Sequence, residues 1–323
     1  MPTQMIQVGD APRLVIGDCR DDVLIETWEQ RAIQILEGGA FSQTEPSDGV
    51  FVIEGARERL DLRVPADADV QIASVRGDLN ASGMRAITIG MVYGDCAIEQ
   101  IAEAVQVEQV RGDLTVENAQ SLTLTRQVGG DAQLNRVAMV DLAEVRGDLQ
   151  ASAAETVSVG AVGGDCQIEA DVELRYGSIG GELQAEGHGE LVLTGGSIGG
   201  DATLSGLSSA QLGDIGGDAN VERVAGDLQL SSVGGDTSIE RVDGRVHLAH
   251  SGGDMNIERV EGDVHLGHSG GDVNIATVRG VVQIGNIGGD LNLSAGFALN
   301  SASSITVGGD ANIELPRNAN LKL

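Results

Sequence analysis

Aspartate is the residue whose spacing in this chain most invites chemistry. Gly-Asp pairs stand at Asp78, Asp95, Asp113, Asp131, Asp148, Asp165, Asp201, Asp218, Asp236, Asp254, Asp272, Asp290 and Asp310, and Glu182 fills the one gap. Successive members lie 17 to 20 residues apart. A second series, Asp227 and Asp263, falls midway between members of the first, with Arg245 and Val281 in the same phase. Aspartates stacked one repeat above another stand about 5 Å apart, and like charges at that distance in water cost on the order of 1 kcal/mol per pair. A calcium ion held between turns would relieve the repulsion. Carboxylates that accept hydrogen bonds from turn N–H groups, as Asx-turns, relieve it without a metal, and this is the preferred reading.

Histidine comes next. Four of the five histidines lie in two copies of one phrase, HLAHSGGD and HLGHSGGD. One repeat apart, His247 stacks on His265 and His250 on His268, and neighbouring imidazoles on one face are candidate ligands for a transition metal. Duplication of one 18-residue unit copies its histidines whatever they do and is the plainer account, so no metal and no other cofactor is expected. Arg-Gly-Asp at 76–78, 111–113 and 146–148 is the integrin tripeptide, but here it reads as the corner of a repeat. Asn220, Asn256, Asn274, Asn292 and Asn312 form an amide ladder, and Glu222, Glu240 and Glu258, each followed by Arg, form columns that offset Glu–Arg pairing between coils would stabilise. There is no G-x-S-x-G, no H-E-x-x-H and no P-loop, and Lys322 is the only lysine. The chain is expected not to be an enzyme and to have no catalytic residues.

The elements that carry these residues follow from the apolar pattern. One and three places after each Asp the residue is apolar and the one between is polar, as in Leu228-Gln229-Leu230 and Val273-Asn274-Ile275. Period-two alternation means a strand with one buried face. A Val or Ile three places before Asp adds a third inward residue, as at Val75, Val145 and Ile287. In the N-terminal half the second strand of each repeat lacks Gly-Asp but is visible as Ile87-Thr88-Ile89 or Val105-Gln106-Val107. The pattern predicts an all-β protein, a parallel β-solenoid with about 18-residue two-strand coils, and fixed periods of this kind dictate the architecture. About 13 coils at ~4.8 Å each would make a body roughly 60 Å long. A coil of about 35 residues with four strands is the alternative; its wider interior would be hard to fill in a chain with 2% aromatics. Cys96 and Cys166 share one inward position, four coils or about 19 Å apart. That exceeds the ~7 Å limit for a disulfide, so they read as buried small hydrophobes.

Segment 1–75 lacks the strict repeat and holds half of the aromatics; it reads as an irregular β-rich N-terminal cap, because an open first coil exposes unpaired backbone. Residues 76–315 are the solenoid repeats and 316–323 a C-terminal tail, short enough to act as a weak cap.

The net charge of −29 excludes direct nucleic-acid binding, which needs basic groups to neutralise phosphates. No basic n-region precedes an apolar run, and no stretch approaches the roughly 18 apolar residues of a membrane span, so the cytoplasm is the expected compartment.

The order R-L-V-I-G-D, V-L-I-E-T-W, D-G-V-F-V-I and L-D-L-R-V-P-A-D-A-D-V-Q-I, leading into V-R-G-D-L repeats, resembles a bacterial β-helix family labelled as adhesins and itself of largely unknown function. The V-x-G-x-[IL] rhythm is more distantly similar to bactofilins, cytoplasmic solenoids that polymerise end to end. The aspartate repeat also resembles the calcium β-roll, but departs from G-G-x-G-x-D-x-U-x in lacking the second Gly and the offset Asp. The leading expectation is a non-catalytic structural or scaffolding solenoid, partnered by itself end to end or by another protein. The alternatives are an acidic interaction module that mimics nucleic acid and binds a basic partner, and a calcium-binding repeat.

Overall fold

A computed structural model describes residues 4–38, 41–47, 50–294 and 305–314. The described residues contain strands and no helix. The chain divides into two compact units, residues 1–163 and 164–323. Each is a parallel β-solenoid in which a strand pairs with its counterpart one coil away. Leu114 lies opposite Cys96 and Ala132 in the first unit, and Val246 opposite Leu228 and Val264 in the second. These offsets are 17 or 18 residues, so the coil is the short one and the 35-residue alternative is excluded. The proposed tail 316–323 lies outside the described residues.

The first unit opens with strands β1 (Gln4–Gln7), β2 (Arg13–Cys19), β3 (Val23–Trp28), β4 (Ala32–Glu37), β5 (Phe41–Ser47), β6 (Val50–Ala56), β7 (Leu60–Pro65), β8 (Asp69–Val75) and β9 (Leu79–Ser82). Their irregularity lies in their order. β2 pairs in parallel with both β6 and β8, and β3 with both β7 and β9. The coil 13–28 is therefore inserted between the coils 50–65 and 69–82, out of chain order. Antiparallel strands close the outer edge: β5 on β6, β4 on β7, and β1 on β4. Covering an edge in this way removes a row of free backbone donors and acceptors. Phe51, Ile33, Ile35 and Leu62 are buried in this region, and the Trp28 indole N–H donates to the Ala32 carbonyl at 2.7 Å.

Beyond β9 the core repeats. The residues one and three places after each ladder Asp of the main series, and after Glu182, are buried without exception from Asp78 to Asp290. In several coils a large residue is matched by a small one, and the order reverses between coils: Leu79 with Ala81, Cys96 with Ile98, Ala132 with Leu134, Leu149 with Ala151, Leu183 with Ala185, Ala202 with Leu204. These coils keep similar volume while neighbours interdigitate, as close packing demands; Leu114 with Val116, Leu228 with Leu230 and Leu291 with Leu293 are large at both positions. A larger exception is Tyr176, 6% exposed, which lies opposite Gly195 of the next coil. A Cβ on Gly195 would fall 2.0 Å from Tyr176 Cζ, so the phenol ring takes the space of two side chains. Its hydroxyl has no hydrogen-bond partner, and burial pushes its pKa up.

The two strands of a coil are not always separate. From Cys96–Val110 to Ala202–Ile215 each coil runs as one strand of 14 to 16 residues, and from Ala219 to Ile287 as two strands of six. In the long form the second corner is a kink within the strand. In the first unit it is made by a residue with positive φ five places after Asp: Gly83, Gln100, Asn118, Arg136 and Ala153. That is why the N-terminal repeats lack a second Gly-Asp. A left-handed conformation costs a non-glycine residue about 1–2 kcal/mol, of which glycine's greater chain entropy would return part. Ala153→Gly is accordingly expected to raise the urea midpoint, by up to about 1 kcal/mol of stability. Ala151→Gly, two residues away in buried strand, should lower it; equal effects of the two changes would show that the kink carries no strain.

Candidate functional site: the aspartate corners and the histidine groove

The aspartates form a ladder between coils. The Asp95 N–H donates to Asp78 Oδ1, Asp113 to Asp95 and Asp131 to Asp113, each at 2.9 Å. In the second unit Asp218 donates to Asp201, Asp236 to Asp218, Asp254 to Asp236, Asp272 to Asp254 and Asp290 to Asp272, at 2.7 to 2.8 Å. The expected Asx-turn, a bond within the aspartate's own turn, is thus replaced by a bond to the next coil. A charged acceptor on a backbone N–H is among the stronger hydrogen bonds, which offsets the repulsion along the column. The column extends below the visible repeat: Asp78 donates to Asp22 Oδ1 at 2.9 Å.

The same ladder explains the glycine before each aspartate. A Cβ on Gly94, Gly112, Gly130, Gly235 or Gly253 would stand 2.0 to 2.1 Å from the Oδ1 of the coil before. None of these glycines has a positive φ, so space rather than conformation selects them. Asp201, Asp218, Asp236, Asp254, Asp272 and Asp290 each commit Oδ1 to this bond and are exposed to solvent. A cation between these turns would meet carboxylates arranged in single file instead of a converging set of ligands.

The structure brings both histidine pairs together. His247 and His265 stack with ring centroids 4.9 Å apart and planes 15° from parallel; His250 and His268 are 6.4 Å apart and tilted by 59°. His265 Nδ1 lies 2.9 Å from Gln283 Oε1. Stacked rings direct their in-plane lone pairs side by side instead of at one point, and among the described residues no group of three or more His, Cys, Asp or Glu is placed to hold a metal. The first pair lines a half-open groove of about 470 Å³, together with Gln229, Gln283, Asp227, Arg245 and Asp263. Arg245 breaks the second aspartate series there. Its backbone N–H donates to Asp227 Oδ1 at 2.8 Å and its guanidinium to Asp227 Oδ2 at 2.7 Å, which holds the Asp227 carboxyl below the usual carboxylate range.

The remaining ladders differ in outcome. Asn274 donates to Asn256 Oδ1 at 3.1 Å and Asn292 to Asn274 at 3.0 Å, as expected for stacked amides. The Glu–Arg columns pair otherwise than expected. Arg241 and Arg259 bond Asp243 and Glu261, two residues ahead in the same corner, at 2.8 and 2.6 Å, and Arg279 joins Glu261 at 2.8 Å. Cys19, Cys96 and Cys166 are free and buried. Comparison with family models, with characterised proteins and with solved structures finds no match for this chain.

Two measurements check these assignments. Gly235→Ala should cost about 1–3 kcal/mol by forcing the Asp218 carboxylate aside, and adding Asp218→Ala should recover part of that loss. Strict additivity of the two changes in a double-mutant cycle would sink the steric account. Burial raises the Cys96 and Cys166 thiols from 9.0 to about 12. Folded protein at pH 8 should therefore resist iodoacetamide at both positions until denaturant is added. The sign for stability follows: the contribution is intact below pH 9 and lost as pH rises toward 12, because only the unfolded chain ionises its thiols in that window.

Proposed function

We propose that this chain is a non-catalytic structural protein whose solenoid units assemble through their lateral surfaces. The observation that supports this most directly is what the recurring polar residues do. Aspartates bond to aspartates and asparagines to asparagines of neighbouring coils, so the most regular chemistry in the sequence is directed at stacking. The antiparallel strands over β6 and β7 leave no free parallel edge at that end of the first unit, which favours side-by-side contact over end-to-end addition there.

A second reading draws on the same columns. Carboxylate oxygens presented every ~4.8 Å make an acidic face able to occupy a basic partner, in a complex that weakens steeply with salt.

Light scattering coupled to size exclusion, run over a range of concentrations at physiological salt, separates the two. Mass that grows with protein concentration is the expected result. A monomer at every concentration, with a basic DNA-binding protein retained at low salt and released at high salt, would replace the first reading with the second.

A further inference from the structure

The first unit contains a basic ridge that no run of sequence reveals. Backbone bonds place the residue two before each ladder aspartate in one file: Arg76 donates to Cys19, Tyr93 to Val75, Arg111 to Val92 and Arg146 to Val128. Arg20 occupies the coil below Arg76 and donates to Ala56, which puts Arg57 in the coil below that. Five guanidiniums and one exposed tyrosine therefore stand in a line along the stacking direction, one per coil at ~4.8 Å except where Gly129 leaves a gap between Arg111 and Arg146. Arg111 lies over the Tyr93 ring at 4.4 Å, which holds the ridge together at its middle. Arg146 has an ion pair with Glu144 at 3.4 Å; Arg20, Arg57, Arg76 and Arg111 have none among the described residues.

The fold does not require these side chains. The same file holds Gly129 in the first unit, and every ladder aspartate from Asp201 to Asp310 is preceded by Gly-Gly. Where glycine stands in this file the corner is tight: a Cβ on Gly129, Gly216 or Gly234 would meet a carbonyl oxygen of the coil before at 2.2 to 2.3 Å. Corners with arginine keep the same inter-coil backbone bond, at 2.9 to 3.0 Å, and display a cation in addition.

Both units carry ladder aspartates, Asp78, Asp95, Asp113 and Asp131 standing beside the ridge in the first, and the units differ in what lies two places before each of them. The first has a ridge of guanidiniums. The second has a file of exposed carboxylates, Asp201, Asp218, Asp236, Asp254, Asp272 and Asp290, beside a floor of paired glycines with nothing protruding. Both files repeat at the spacing of a parallel β-ladder, so their charges stay in step along their whole length. We propose that the arginine ridge of one copy lies in the Gly-Gly-Asp trough of a second copy, each guanidinium meeting the carboxylate oxygen that the inter-coil bond leaves free. The proposal rests on the lateral-assembly reading and names its surfaces. At physiological salt the Debye length is about 8 Å, so the net negative charge of the two bodies is largely screened while pairs at contact are not.

Sedimentation velocity at physiological salt tests it with three proteins. The wild-type chain should self-associate. Arg76→Gln with Arg111→Gln and Arg146→Gln should weaken association roughly 10- to 100-fold, as expected for the loss of three exposed pairs. Asp236→Asn with Asp254→Asn and Asp272→Asn keeps a neutral acceptor oxygen for the ladder, is compared at a temperature below its own measured unfolding transition, and should weaken association by a similar factor. Association untouched by either set would overturn the proposal and leave lateral assembly standing on another surface. Loss with the arginine set alone would also overturn it and assign the ridge to a different polyanion. A wild-type chain that stays monomeric removes the assembly reading itself.

Discussion

Everything regular in this protein depends on one hydrogen bond, from the N–H of a corner aspartate to the carboxylate of the aspartate one coil earlier. It fixes the register of adjacent coils at the point where the strands are interrupted. It also reserves, in each coil, the volume that a Cβ before the next aspartate would fill. Gly and Asp are adjacent in sequence, but the steric pair is the Asp of one coil and the Gly of the next. Repeats of 17, 18, 19 or 20 residues are compatible because only the corners must coincide. Extra length, as between Glu182 and Asp201, is absorbed as a register shift within the strand.

Much of this was legible in the residues. The inward positions followed from period-two alternation, and the short coil from the poverty of aromatics. The coil 13–28 escaped notice for a reason the ladder supplies. Its corner reads Arg20-Asp21-Asp22, without the diagnostic glycine. Below it lies Arg59, not an aspartate, so no carboxylate oxygen stands where the Asp21 Cβ belongs. The Asp22 N–H, lacking a partner below, takes Asp21 Oδ1 at 3.0 Å. Above it the rule resumes: a Cβ on Gly77 would meet Asp22 Oδ1 at 2.1 Å. The arginine file was hidden differently, since its members are spread from residue 20 to residue 146 and meet only through stacking.

Charge is distributed by the same geometry. The outward middle positions of the strands are largely Asn, Gln, Ser, Thr and His, while Asp, Glu and Arg concentrate near the corners. Much of the net charge of −29 is therefore carried as lines along the stacking direction, the corner aspartates and the Glu222, Glu240 and Glu258 column among them. Screening acts differently on such lines than on a uniformly charged surface, because a partner can meet one line at contact while the others lie beyond a Debye length.

The displaced coil at the start of the first unit has a consequence for the order of events during synthesis. Strand β2 is made before either of its neighbours, β6 and β8, and β3 before β7 and β9. Stacking by simple addition, each coil laid on the one before it, therefore cannot begin at the N-terminus. The earliest coil has no neighbouring coil to pair with until β6 and β7 have emerged at residue 65, and it is enclosed from both sides only after residue 82. Loop closure of that span precedes any reward from its contacts. Once closed, the arrangement is held from both directions, and after β1 is peeled from β4, pulling on the N-terminus would have to extract an interior layer.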